Sequence, residues 1–209
     1  MAKPSFRPAR PTDMAAAVPL IHSSGPEAFE FVFAVPGVGD GQAFLRRAFV
    51  DGAGEFGWRN HVVGELDGAV VAVGAGYGGD AKWPFTWAAA RQILAHYGWR
   101  HAAGVIARGL KVESVIPPPG GATYYLAHLG VAESLRGQGV GTALVEHLLA
   151  RRAGTESAVM LDVAATNPGA QRLYQRMGFA VTGQRRSTLA NAQGRVPDHS
   201  RMQWQAPAP

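Results

Sequence analysis

Cysteine is absent from the 209-residue chain. That removes disulfides, thiolate nucleophiles and cysteine-ligated zinc together, and it fits a reducing compartment, so a cytoplasmic location is expected. Long apolar runs are absent too. No stretch approaches the roughly 20 residues of a membrane helix, and Met1-Ala2-Lys3-Pro4-Ser5 carries a positive charge with no apolar segment behind it, unlike a secretory leader. Charge is sparse at 17% of residues while 47% are hydrophobic, a balance that belongs to folded domains and excludes disorder. The expectation is one domain over 1–209 with a flexible tail at 205–209. Twenty basic residues against 15 acidic ones give a net charge of +5, which favours anionic partners. Yet the basic residues are scattered in short pairs such as Arg46-Arg47, Arg151-Arg152 and Arg185-Arg186. Neither nucleic acid nor a membrane is therefore an expected partner, and a polyanionic cofactor would draw on only a few of these charges. The seven histidines form no ligand set: His96 and His101 have no carboxylate at ligand spacing, so no metal is expected.

What is present reads as alternating strands and helices, without an internal repeat. Residues Ser5 to Ala9 suggest a first strand, and Thr12 or Asp13 is placed to cap a helix carrying Met14, Val18 and Ile21, shortened or bent by Pro19. Phe44, Leu45, Ala48 and Phe49 predict a helix from Gln42 to Val50. Two apolar runs, 61–66 and 69–73, flank Asp67-Gly68, the sequence of a type I′ hairpin. From Phe85 to Lys111 the chain turns helical, with Trp87, Ala90, Ile93, Leu94 and Tyr97 spaced for one apolar face and Gly98 as a break. Pro117 to Gly121 end it, so 80–120 reads as a helical insertion. Then come a strand over 123–131, a helix from Val140 to about Arg152 and a strand over 158–163. A helix from Pro168 to Met177 and strands at 179–183 and 200–205 complete the pattern.

Two glycine-rich stretches carry chemistry. Arg136-Gly137-Gln138-Gly139-Val140-Gly141 lies between a strand and an amphipathic helix with Val140, Leu144 and Leu148 in line. Glycines let successive N–H groups converge there, the helix N-terminus adds partial positive charge, Arg136 adds a full one, and Thr142 offers a hydroxyl. The turn lacks the lysine of a nucleoside-triphosphate loop. The other stretch, Gly74-Ala75-Gly76-Tyr77-Gly78-Gly79, follows the strand Val70 to Val73 and formally matches a dinucleotide-binding fingerprint, which leaves an oxidoreductase as the rival function. Against it, its strand already belongs to a hairpin, Pro84 delays any helix, and no acid stands about twenty residues on.

The segment Leu126 to Leu149, with Arg-x-x-Gly-x-Gly at Arg136 to Gly141, resembles the cofactor motif of the GNAT superfamily of acyl-CoA N-acyltransferases. Leu161-Asp162-Val163, Asn167-Pro168, Leu173-Tyr174 and Met177-Gly178-Phe179 resemble that superfamily's next strand, helix and strand. The likeness covers 123–186 well, 5–79 in outline and 80–120 not at all. It implies an α/β fold with a mixed, mostly antiparallel sheet splayed near Val131. It implies acetyl-CoA as co-substrate, bound by the backbone of Leu129 and Val131, by Arg136, Gly137, Gln138, Gly139, Val140, Gly141 and Thr142, and by Asn167. It also implies transfer of an acyl group to a primary amine of a small molecule or peptide by direct attack, with no protein nucleophile.

Such chemistry needs an acid for the leaving thiolate and a base for the amine. The resemblance gives Tyr174 the acid role; packing beside Leu173 and Met177 is its alternative reading. Asp162, an acid in an apolar strand whose pKa burial would raise, and His128, with a pKa near neutrality, are the two candidate bases. Asn167 is also a helix cap ahead of Pro168. Phe29, Phe31, Phe33, Trp83, Phe85 and Trp87 are expected to line the acceptor side. A non-catalytic acyl-CoA-binding module remains a third reading, and a homodimer is left open.

Overall fold

Asp67 and Gly68 take positive φ, 51° and 77°, the type I′ geometry whose twist suits paired strands. They join β2 (His61–Leu66) to β3 (Ala69–Gly78). Around this hairpin a seven-stranded sheet forms in the order β1-β2-β3-β4-β5-β9-β6. Its other strands are β1 (Ser5–Pro8), β4 (Thr123–Val131), β5 (Ala158–Ala164), β6 (Phe179–Arg185) and β9 (His199–Trp204). Every neighbouring pair is antiparallel except β4 with β5. This computed structural model describes residues 3–152, 154 and 157–205. The tail expected beyond Gln205 lies outside the described residues.

Among the described residues six helices clothe the sheet: α1 (Met14–Ser23), α2 (Pro26–Phe33), α3 (Gly41–Asp51), α4 (Lys82–Val112), α5 (Val140–Ala150) and α6 (Pro168–Arg176). Strand periodicity divides the core between the two faces. Val63 and Val73 join Ile21 of α1 and Phe44 and Phe49 of α3, whereas Val62 and Ala72 join Leu144 and Leu148 of α5. Each of the valine, isoleucine, leucine and phenylalanine side chains among them contributes roughly 1.5–3 kcal/mol by leaving water. A two-stranded ribbon, β7 (Ala190–Asn191) with β8 (Gly194–Arg195), packs on α2; nothing in the sequence pattern announces it.

Three sequence expectations are corrected. The carboxylate of Asp13 does not cap α1; it accepts the Arg10 N–H at 2.7 Å and pairs with Arg7 at 2.7 Å. The 82–112 helix buries only part of its expected face: Ile93 and Tyr97 are buried, joined by Ala88 and Gln92, while Trp87 and Leu94 are exposed. Gly98 does break it, at φ 63°. Finally, Gly74, Gly76 and Gly78 continue β3 instead of forming a turn. A side chain at Gly74 would meet Leu129 and Leu148, and one at Gly76 would collide with the Tyr124 ring. Those glycines let neighbours lie flat on the strand, so the dinucleotide fingerprint has no turn behind it.

The feature that positions the site is a split. β4 and β5 pair only at Thr123↔Ala158, Tyr124↔Val159 and Tyr125↔Met160. Beyond Tyr125, β4 keeps only β3 and β5 keeps only β9. The sheet is therefore already open well before Val131.

Candidate functional site

At the wide end of the split lies the glycine turn. Gly137 and Gly139 adopt φ 75° and 85°, a region costly for any residue with a Cβ. Gly139 is the N-cap of α5, so the N–H groups of Val140, Gly141 and Thr142 emerge without helical acceptors. No atom lies within 4 Å of where side chains at Gly137 and Gly139 would stand; the turn faces open space. The Arg136 Nε–H reaches back to the Val131 carbonyl at 3.3 Å. A Cβ on Gly141 would come within 3.1 Å of Leu173 Cδ2, so this glycine lets α6 approach the start of α5. Asn167 caps α6, its side-chain oxygen accepting the Ala170 N–H at 3.0 Å.

At the narrow end β4 bulges. Val73 pairs with Gly130 but Ala75 pairs with Ala127, one residue extra on β4, and His128 takes the strain with φ 56°. The bulge turns the imidazole toward His61 at the start of β2. His61 Nδ1–H donates to the Gly57 carbonyl at 2.9 Å, which leaves its Nε2 as an acceptor for His128 Nδ1–H at 3.1 Å. Burial, and then the positive charge that His128 carries when protonated, push the His61 pKa down to about 3. A neutral His61 therefore fixes the His128 tautomer and leaves His128 Nε2 with its lone pair outward. That nitrogen stands 3.5 Å from Glu55 Oε1, which accepts the Tyr77 hydroxyl at 2.8 Å.

His128, Glu55 and Tyr77 share a cavity of about 430 Å³ with Leu129, Asn167, Ala170 and Tyr174. Tyr174 is buried, no protein group among the described residues hydrogen-bonds its hydroxyl, and burial holds its pKa well above the ordinary tyrosine value, so it keeps its proton. Asp162 also reaches this cavity, but its carboxylate, 2% exposed, is engaged. It pairs with Arg201 at 2.6 Å and accepts the Tyr125 hydroxyl at 2.7 Å. Of the aromatics expected on the acceptor side, Phe29, Phe33 and Phe85 line the cavity, whereas Phe31 lies in the core and Trp83 and Trp87 face outward.

The sequence model of the acetyltransferase (GNAT) family matches residues 52–179, a span holding the bulge, the glycine turn and Tyr174. The chain belongs to this family. Curated relatives align over shorter stretches. N-acetyltransferase 8F1 of Rattus norvegicus is 41% identical over 75 residues, 35% of this chain and 34% of that protein. The 5-NmdU N-acetyltransferase of Pseudomonas phage PaMx11 is 31% identical over 90 residues, 42% of this chain and 61% of that protein. The chain thus spans about a third of the rat relative's length and under two thirds of the phage one's. Among solved structures, an N-acetyltransferase from Staphylococcus aureus Mu50 superposes with a TM-score of 0.66 at 16% identity, covering 95% of this chain and 99% of that one. An acetyltransferase from Salmonella typhimurium, solved with its cofactor acetyl-CoA, gives 0.52 at 19%, covering 100% and 96%. At these identities the likeness is one of fold: helices flanking a mostly antiparallel sheet.

GNAT enzymes use acetyl-CoA, and this chain's residues fit it. The open glycine turn suits a pyrophosphate, the unpaired edge of β4 that carries Leu129 and Val131 suits an extended arm, and Tyr174, whose hydroxyl is unpartnered among the described residues, lines the cavity. Among the described residues no cluster of histidines and carboxylates is placed to hold a metal ion, and no helix is long and apolar enough to cross a membrane.

Sequence reasoning missed His61, Glu55 and Tyr77. The two imidazoles lie 67 residues apart, and only the β2-β3-β4 register together with the bulge brings them into contact.

Proposed function

We propose that the protein transfers an acetyl group from acetyl-CoA to a primary amine, with His128 as base and Tyr174 as acid. The observation that carries this reading is that His128, its tautomer fixed from behind, and Tyr174, whose hydroxyl has no hydrogen-bond partner among the described residues, line one cavity at the β4-β5 split. Acetyl-CoA supplies an acyl group on a thioester. The amine enters as an ammonium, and His128 Nε2 takes its proton, next to the Glu55 carboxylate that stabilises the resulting imidazolium. The freed nitrogen attacks the thioester carbon, the carbon–sulfur bond breaks as Tyr174 gives its proton to the departing sulfur, and the remaining extra proton on the acylated nitrogen passes to the Tyr174 phenolate, while the His128 imidazolium releases its own proton to solvent. Arg136, the N–H groups of Gly137 and of Gly139 to Thr142, and the edge of β4 at Leu129 and Val131 hold the donor, with Asn167 ordering α6 beside it; the Gln138 N–H already donates to the Leu135 carbonyl. Asp162 is assigned a structural part, because Arg201 and Tyr125 already occupy its lone pairs.

The test is thiol release with acetyl-CoA and a panel of primary amines. Turnover that falls by about 100-fold or more in His128→Gln and persists in Asp162→Asn supports the assignment; loss in Asp162→Asn alone reverses it. Acetyl-CoA binding without turnover of any amine would instead establish a binding module. The remaining expectations are one domain per chain and, for a cysteine-free chain, a cytoplasmic location, with association of two copies left open. Melting cooperativity, cell fractionation and sedimentation velocity check them in turn.

A further inference from the structure

The acceptor side of the cavity has a charged end and an apolar end. At the charged end, Glu55 Oε1 accepts the Tyr77 hydroxyl at 2.8 Å and stands 3.5 Å from His128 Nε2; burial opposes its ionisation, but His128, once it has taken up a proton, and the Tyr77 hydroxyl outweigh it and keep the carboxyl below its ordinary pKa. Its neighbours cancel or stay neutral. Asp162 is paired with Arg201, and burial followed by adjacent carboxylates holds Tyr77 and Tyr125 protonated. Lys82 and Glu113, of opposite sign, stand exposed at the rim. One negative charge therefore faces the amine beside His128.

Away from it the wall is apolar. Phe29 and Phe33 of α2 face the first half of α4 at Phe85 and Ile93, and the break at Gly98 brings the second half round to add Ile106 and Leu110. Ile106 and Leu110 are 38% and 62% exposed. Large aliphatic side chains lining a cavity without protein cover gain stability from an apolar guest.

We infer that the acceptor is a primary amine carried on a compact apolar body, an aromatic ring or branched alkyl group, with its ammonium received by Glu55 and its body lodged between α2 and the two halves of α4. This rests on the acetyl-transfer reading. A diamine would bring a second charge against the apolar wall with no partner, and a small polar amine would leave that wall in water. Apolar pockets discriminate by roughly tenfold or more per methylene.

The experiment is steady-state thiol release with acetyl-CoA and 2-phenylethylamine, hexylamine, putrescine or glycinamide, on the native chain and on Leu110→Asn and Glu55→Gln. The expected kcat/KM for phenylethylamine exceeds those for putrescine and glycinamide by about 100-fold or more. Leu110→Asn, at an exposed position, narrows the phenylethylamine-to-glycinamide ratio by about tenfold, and Glu55→Gln raises KM for every amine. Equal or reversed ranking, or a ratio unmoved by Leu110→Asn, overturns the inference while acetyl transfer stands. No turnover of any amine overturns both.

Discussion

His61 and Tyr174 are both buried, and burial does opposite things to their usefulness. For Tyr174 it secures the proton the acid role requires. Tyr174→Phe removes that proton with little change in volume, so kcat falls by about 100-fold while the acetyl-CoA dissociation constant stays nearly unchanged; full turnover would remove Tyr174 from the acid role. For His61 burial forbids the charge and makes the fold sensitive to acid. The folded chain keeps His61 unprotonated down to about pH 3, whereas the unfolded chain takes up a proton below its ordinary 6.5. The contribution is complete above pH 6.5 and is lost progressively as pH falls toward 3, by about 2 kcal/mol between pH 6.5 and 5. Melting temperatures recorded over that interval should fall less steeply in His61→Phe, by roughly 4–8 °C. Parallel slopes would show that His61 already carries a proton in the folded chain.

The elements were unequally legible. The strand, turn and helix from Thr123 to Ala150 follow their sequence pattern closely, because apolar spacing and glycine placement agree there. α2 escaped notice because phenylalanines at 29, 31 and 33 alternate as in a strand. Pro26 at its first turn and packing against α3 and α4 make it helical. The face of the 82–112 helix was legible at Ile93 and Tyr97 but not at Trp87 and Leu94, which are apolar yet exposed. Asp162 belongs to this scale as well, since its meaning depends on a partner strand. The carboxylate on β5 meets Arg201 on β9, whose guanidinium also donates to the Pro117 carbonyl. Arg201→Met strands a buried charge and should cost about 3–5 kcal/mol in urea unfolding, while Asp162→Leu combined with Arg201→Met recovers most of it. A double variant no more stable than the single one would argue against the pairing. In the turn, Gly139→Ala has room for its methyl but forces φ 85° on a residue with a Cβ. Acetyl-CoA affinity should weaken about tenfold, in line with the roughly 1–2 kcal/mol cost of that conformation; unchanged affinity would mean that the turn does not shape the donor site.

In the whole molecule the split has an energetic consequence. One group of strands, β1 to β4, and another, β5, β9 and β6, meet through three residue pairs, from Thr123↔Ala158 to Tyr125↔Met160. Beyond them the edges of β4 and β5 face a cleft, and Gly141 against Leu173 is where α5 on one side touches α6 on the other. A donor lying in that cleft contacts both groups, so its binding energy couples them. At about 100 times its dissociation constant, acetyl-CoA should stabilise the fold by roughly 2.7 kcal/mol, a rise of roughly 5–10 °C in melting temperature. NADH should produce none, because Gly74 to Gly78 form strand where a dinucleotide needs a turn. Hydrogen exchange locates the effect. Protection should appear together in residues 126–131 of β4 and 161–164 of β5, the unpaired edges, and in the first turn of α5. Protection confined to α5 would mean that only the phosphates are held and that the split is not where the donor lies.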